Sequence, residues 1–584
     1  GHPGAFANGR AVTRRREPGD DDDRGDAAPV GDAHGAADRL KRLQPTEGVV
    51  EAPDDPHKLA RTYVAERYAH PDHPRLVYYN EDFHEYRDGC YRRMPDGDAD
   101  VELTAAIKRE FDRLYFEDLE AYRRAMVAHQ IAMKDGGDWE GSKPVPPKVR
   151  KVKTGVFNDT RRALRSVVGV PHTYQQPCWL TPSPDAPPPR AVLPAKNALV
   201  DLSSVAIGAD GTIDLHAIKV IDPTPAFFSP ITLHYPFDPD APDPTRWLTF
   251  LEEVFPGDGE SQRELQKWFG YLITMDTKQQ KMLYLIGRSR SGKGTVVRVL
   301  TDLVGQLNCA SPALMDLAEP FGLSNLPGKT LMTITDARIS KDDKELARLQ
   351  ERLLKISGED LSQINRKNKP IIEMKLLTRI VIASNEVPAF RDPSGAFKER
   401  MRPLRFQVSF AGKEDPDLFG KLRAEMGGIL NWAIKGQALL VADGGFLVPR
   451  SARGLVRSLQ EAATPLHVFL YDCCMTDKDA TVTKDDLFLV YQWWCLRTAN
   501  RVTPIQTFGK ELPIANPEIK PVRLRPRERT GAVDPFEPAG TGQRGETRQQ
   551  AWKGIKFRPD VLEQAREAQR RKEERFQPRD WSSR

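Results

Sequence analysis

Nine consecutive residues, Gly287-Arg288-Ser289-Arg290-Ser291-Gly292-Lys293-Gly294-Thr295, carry the most specific chemistry in the chain. Glycines at both ends let the backbone curl until its N–H groups and the start of a following helix surround phosphate oxygens, and Lys293 then reaches the β- and γ-phosphates. The flanks agree with this reading, because Met282 to Ile286 reads as an apolar strand and Val296 to Val304 as a helix. A Gly/Ser-rich turn with an accidental lysine would need neither flank. The expected ligand is ATP with Mg²⁺. Lys293 is followed by Gly294, so the hydroxyl expected on the metal comes from Thr295 or is missing.

Two further strands end in polar residues. Thr330 to Thr335 leads into Asp336, which fits the carboxylate that holds Mg²⁺ in a phosphate-loop ATPase, although a strand ending in Asp also reads as an ordinary turn. Arg379 to Ser384 leads into Asn385, which could sense a γ-phosphate or orient water, or could equally close a turn.

The order of these pieces resembles the superfamily 3 helicases, and within them the helicase half of poxvirus and satellite-phage primase-helicases. The resemblance runs from about Thr245 to Phe406, with looser similarity from about Asp55 to Phe557. It is carried by Gly287 to Thr295, Asp336, Ile356-Ser357-Gly358-Glu359-Asp360, Ile364-Asn365-Arg366-Lys367-Asn368-Lys369, Ile382-Ala383-Ser384-Asn385-Glu386-Val387-Pro388, and Arg400 ahead of Phe406. It implies an ATP-dependent DNA helicase or translocase of phage or plasmid-type replication, forming a homo-hexameric ring on single-stranded or forked DNA, with ATP between neighbouring subunits. The implied roles are phosphate neutralisation for Lys293, Mg²⁺ binding for Thr295 and Asp336, γ-phosphate sensing for Asn385, and an arginine finger toward the neighbouring subunit for Arg400. Many relatives carry paired acids after the second strand, whereas this chain has Asp336-Ala337, so the base is unassigned between candidates such as Glu351 and Glu359.

Arg366, Lys367 and Lys369 fall at the tip of a hairpin with arms Leu361 to Ile364 and Ile371 to Met374. Cations on a loop tip suit sequence-independent phosphate contact, and in the resembled family this hairpin enters the ring channel; a solvated basic turn is the plainer reading. Near the C-terminus, helices over Lys484 to Thr498 and Pro504 to Ile514 precede basic strand-like segments, Ile519 to Arg525 and Trp552 to Arg558. That resembles the winged helix following such motors, with Lys510, Lys520, Arg523 and Arg525 as phosphate contacts; a packing module fits the pattern as well.

These residues need a scaffold, and short β-branched strands alternating with helices predict an α/β fold with a buried parallel sheet, in the AAA+ style that the resemblance implies. The expected organisation is a disordered tail over 1–52, a small α/β module over 53–135, a helicase-associated region over 136–244, the ATPase over 245–445, the winged-helix-like domain over 446–560 and a charged tail over 561–584. A Pro- and Lys-rich loop, Lys143 to Lys153, interrupts the N-terminal half. Lys+Arg 87 against Asp+Glu 82 permits a polyanionic partner without demanding one. No apolar run approaches the roughly 20 residues of a membrane span. Six cysteines without metal-ligand spacing suggest a reducing cytoplasm, in a bacterial or phage-infected cell. Gly1 in place of Met suggests a trimmed start, and no polymerising primase site is visible, so any primase would lie upstream or on another chain. Two rivals stay open: an origin-binding or scaffold protein using the nucleotide as a switch, and a small-molecule kinase, because Gly-Lys-Gly-Thr also occurs in adenylate-kinase-type loops.

Overall fold

The computed structural model describes residues 38–134, 142–208, 211–335, 343–385, 395–456, 465–498, 502–524 and 549–576. Contacts divide the chain into two units, one of residues 1–86, 93–189 and 224–229, the other of residues 87–92, 190–223 and 230–584.

In the first unit, helix α1 (Pro56–Arg67) starts where Asp55 accepts from His57 N at 2.9 Å and Lys58 N at 3.0 Å, with Pro56 set in the first turn. Its face Leu59, Tyr63 and Val64 packs with Leu103, Ile107 and Phe111 of α2 (Asp96–Lys134) and Ala163 and Leu164 of α3 (Thr154–Val167). Part of the stretch expected to be a tail is folded here: the Arg39 side chain is buried and donates to Leu180 O at 2.6 Å.

The second unit holds a parallel sheet of β1 (Met282–Gly287), β2 (Cys309–Ala310), β3 (Leu331–Thr335), β6 (Arg379–Ser384) and β7 (Met401–Phe406), in the order β2-β3-β6-β1-β7. Side chains alternate across it. Leu283 and Leu285 of β1 enter a core with α4 (Thr245–Val254), α5 (Gly259–Ile273), α6 (Lys293–Val304) and α8 (Met426–Ala442), while Met282, Tyr284 and Ile286 enter a second core with α7 (Asp343–Ser357). Covering both faces is what makes such strands apolar throughout. The antiparallel hairpin of β4 (Leu361–Arg366) and β5 (Lys369–Lys375) follows α7. Residues 190–223 and 230–244 do not stand apart: Leu193, Val200 and Phe237 share the core of Trp247 and Leu283.

The C-terminal segment forms its own core from helix Pro465–Cys473, β8 (Cys474–Thr483), α9 (Lys484–Arg497), α10 (Ile505–Ala515), β9 (Lys520–Leu524), β10 (Gln549–Phe557) and α11 (Val561–Phe576), with sheet order β8-β10-β9. Thr483 opens α9 by accepting from Asp486 N at 3.1 Å. All six cysteines are buried and none is in a disulfide. Among the described residues no helix is long and apolar enough to cross a membrane.

Candidate nucleotide and nucleic-acid sites

The chain leaves β1 through α6 toward β2, and it later returns to β7 on the other side of β1. The carboxyl end of β1 is therefore a switch point, where open α/β sheets form a crevice. Gly287 to Thr295 occupies it. Gly287 touches β7 so closely that a Cβ there would lie 2.3 Å from Phe406 O. Gly292, the residue before α6, has φ 95, and a Cβ would fall 2.8 Å from Val254 Cγ1. Only glycine fits both demands.

Lys293 points into the curl of this loop. Its Nζ donates to Gly287 O and Arg288 O, both at 2.7 Å, to Ser291 Oγ at 3.2 Å and to Asn385 Oδ1 at 3.1 Å. Ser291, Lys293 and Thr295 are buried, whereas Arg288, Ser289 and Arg290 are exposed. At Gly294 a side chain would meet nothing within 4 Å, so the first turn of α6 faces open space.

The loop is held by a segment that sequence reasoning missed. Arg290 has φ 57, a left-handed conformation that costs a non-glycine residue on the order of 1–3 kcal/mol. Phe410 N donates to Arg290 O at 2.8 Å, Ser409 Oγ to Ser289 O at 3.3 Å, and Glu414 pairs with the Arg290 guanidinium. These contacts over-determine the strained turn. A cavity of about 530 Å³ opens here, lined by Ser289 to Thr295 and Asn385, by Arg246, Phe250 and Glu253 of α4, by Arg298, and by Phe410, Lys413, Glu414, Asp415 and Leu418. Lys421, bonded at 2.7 Å, holds the Asp415 carboxyl below its ordinary range. No local pattern marks α4 or residues 410–418 as partners of a loop this distant in sequence.

Of the other expected site residues, Thr335 is the exposed end of β3 and Asp336 lies outside the described residues. Asn385 reaches Lys293, because β6 lies between β1 and β3. Arg400 is not among the residues lining the cavity. Its Nη1 donates to Leu354 O and, at 3.2 Å, to Ser357 Oγ in the last turn of α7. Glu359 pairs with Arg190 at 2.9 Å and accepts from Thr277, and Glu351 pairs with Lys355 at 2.8 Å; neither lines the cavity. Among the described residues no group of three or more His, Cys, Asp or Glu is arranged to hold a metal.

The β4–β5 hairpin turns through Lys367 and Asn368, with Arg366 opposite Lys369. Asn368 takes φ 58, a left-handed conformation that asparagine tolerates in turns. Lys367 is exposed at the tip, while Arg366 folds back on Pro370 O at 3.3 Å. In the C-terminal core Lys510, on α10, and Lys520 and Arg523, on β9, are exposed; Arg525 lies outside the described residues.

Fold and site together define a mixed α/β protein with a five-stranded parallel sheet, compatible with nucleotide binding. Residues 285–400 match a family of unknown function, DUF5906. None of the curated proteins matches the chain. Solved structures similar to it include the apo structure of the NrS-1 C terminal region, 13% identical with a TM-score of 0.41, covering 80% of this chain and 87% of that one. An A form apo structure of the same region is 13% identical with a TM-score of 0.38, covering 76% of this chain and 84% of that one.

Proposed function

We propose that the chain is an ATP-dependent DNA translocase of replication, a superfamily 3 type helicase acting as a homo-hexameric ring on single-stranded or forked DNA. The observation that carries the reading is the Lys293 ammonium enclosed by the curl after β1 and bonded to Asn385 at 3.1 Å. The strand order, with β6 between β1 and β3, supports the AAA+ arrangement in which two polar strand ends face the loop. The residues fit a triphosphate: a cation inside the curl, a helix start behind it, and open space at Gly294. Thr295 and Asp336 would hold Mg²⁺, which supplies further positive charge to the phosphates.

In this reading Asn385 orients the γ-phosphate or the attacking water. Arg400, outside the cavity of its own chain, completes the site of a neighbour. Lys367 and its hairpin neighbours track the DNA backbone. The C-terminal order of helix, strand, two helices and two strands, with sheet order β8-β10-β9, supports a winged helix bearing Lys510 on its second inner helix.

One observation favours a second reading, a nucleotide-binding origin-recognition or scaffold protein without efficient hydrolysis: Glu351 and Glu359 are both ion-paired away from the cavity. ATP turnover with and without single-stranded DNA separates the two. The motor gives DNA-stimulated hydrolysis that Lys293→Ala abolishes while circular dichroism stays unchanged. Tight ATP binding without turnover by the wild type overturns the motor, and turnover that needs a small-molecule acceptor points to a kinase.

A further inference from the structure

Helix α2 is 39 residues long, which at 1.5 Å per residue is about 58 Å. Only its first part belongs to a core: Leu103, Ala106, Ile107 and Phe111 are buried, and no described residue from Asp112 to Lys134 is. Residues 142–153 have neither helix nor strand; the Arg150–Asp118 pair at 3.2 Å sets this part of the run beside the outer part of the helix, and Val152 then packs against the core. Helix and run together form an arm.

We propose that this arm is a second DNA-binding surface, gripping phosphates through Lys143, Lys148, Lys151 and Lys153. The inference rests on the reading above only in taking DNA as the partner. Ser142 to Lys153 contains five cations and no acid, in a chain whose basic and acidic residues otherwise nearly balance. All four lysines are exposed, and among the described residues none of them is ion-paired. Three of the four acids on the outer part of α2 are already engaged, Asp112 with Lys108, Glu117 with Arg113 and Asp118 with Arg150, which leaves the exposed Glu120 against the run's five cations. Arg123 and Arg124 add exposed charge on the same helix. Residues 135–141, which include Asp135, Asp138 and Glu140, lie outside the described residues and are not part of the proposed surface.

The prolines explain why the lysines are available. Pro144, Pro146 and Pro147 fix φ and remove backbone donors, so the run neither pairs as a strand nor coils into a helix. At about 3.1 Å per residue an extended run spreads Lys143 to Lys153 over roughly 30 Å, with little ordering entropy left to lose on binding. A rigid row of point charges suits a phosphate backbone without regard to sequence.

The test uses the full chain and fluorescence anisotropy on forked DNA with a duplex stem, titrated across salt. Replacing the four lysines with Ala should lower the slope of log affinity against log salt by up to about 3.6 and weaken binding by about tenfold or more at low salt. The matching Lys→Arg variant should bind like wild type, and DNA-free ATP turnover should not change. Losses from the arm and from a hairpin Arg366/Lys367/Lys369→Ala variant should add. A wild type that binds DNA, with the same slope in the four-alanine variant, overturns the arm and leaves the motor reading standing; an arm that serves an acidic protein would give this result. A wild type that binds no DNA at any salt overturns both.

Discussion

Replacing Arg400 with alanine removes two interactions at once, and their sizes can be judged separately. The first is structural. Nη1 donates to Leu354 O and to Ser357 Oγ, at the end of α7 where a cation also meets the helix dipole. Hydrogen bonds to charged groups are worth about 1.5–3 kcal/mol, but Gly358 N also donates to Leu354 O at 2.8 Å, so the carbonyl is not left unpaired. The loss should fall near the low end, about 1–2 kcal/mol, seen as a melting point lowered by a few degrees. The second interaction is the proposed contact with a neighbour's ATP, worth as much as roughly a thousandfold in turnover. Arg400→Ala should therefore bind ATP normally, melt slightly early and nearly cease to hydrolyse. Arg400→Lys should recover stability in part without recovering turnover, because lysine lacks the planar fork. Mixing decides between a shared site and a merely structural residue: Lys293→Ala and Arg400→Ala subunits, each inactive alone, should together regain partial activity. Folded, co-assembled mixtures that stay inactive refute the shared site, and an Arg400→Ala chain with wild-type turnover refutes the finger altogether.

Replacing Arg366, Lys367 and Lys369 with Ala should lower the salt slope of single-stranded DNA binding by about 0.7 per lost phosphate contact while basal hydrolysis persists; an unchanged slope puts the DNA path elsewhere. Burial, with Arg39 nearby, pushes His73 down to about 4. Because the unfolded imidazole titrates near 6.5, the unfolded state alone gains a proton as pH falls below that value. Stability of the N-terminal unit is thus full at pH 7 and should fall by about 3 kcal/mol between pH 6.5 and 4. Hydrogen exchange of α1 amides at pH 7 and pH 5 measures this, and His73→Gln should flatten the difference; equal pH dependence in both proteins rejects His73 as its source.

The glycine-rich loop was legible because its chemistry is contiguous, and its position is set by the strand and helix on either side. The hairpin was legible for the same reason, its turn being fixed by Lys367 and Asn368. The cavity wall was not: Arg246, Phe250 and residues 410–418 meet the loop only through packing of distant elements. Strand β2 is two residues long, too short for any periodic signal. Helix α7 carries a stripe, Leu346, Leu349, Leu353 and Ile356, at a spacing that periodicity can read. Helix α3 has an apolar face, but periodicity does not say which core receives it; it packs with α1, so residues 142–189 fold with the first unit while residues 190–223 fold with the second. Arg379 shows the limit for charged residues: it is fully buried and donates to Tyr271 O, Leu377 O and Thr330 Oγ1, partners no strand pattern reveals.

The central claim is that ATP hydrolysis at Lys293 drives movement along DNA. Strand separation on a forked substrate, followed by fluorescence with ATP and Mg²⁺, tests it most directly. The account predicts displacement by the wild type, none with a non-hydrolysable ATP analogue, and none by Lys293→Ala. DNA-stimulated hydrolysis without displacement of either a complementary strand or a roadblock on single-stranded DNA would contradict it.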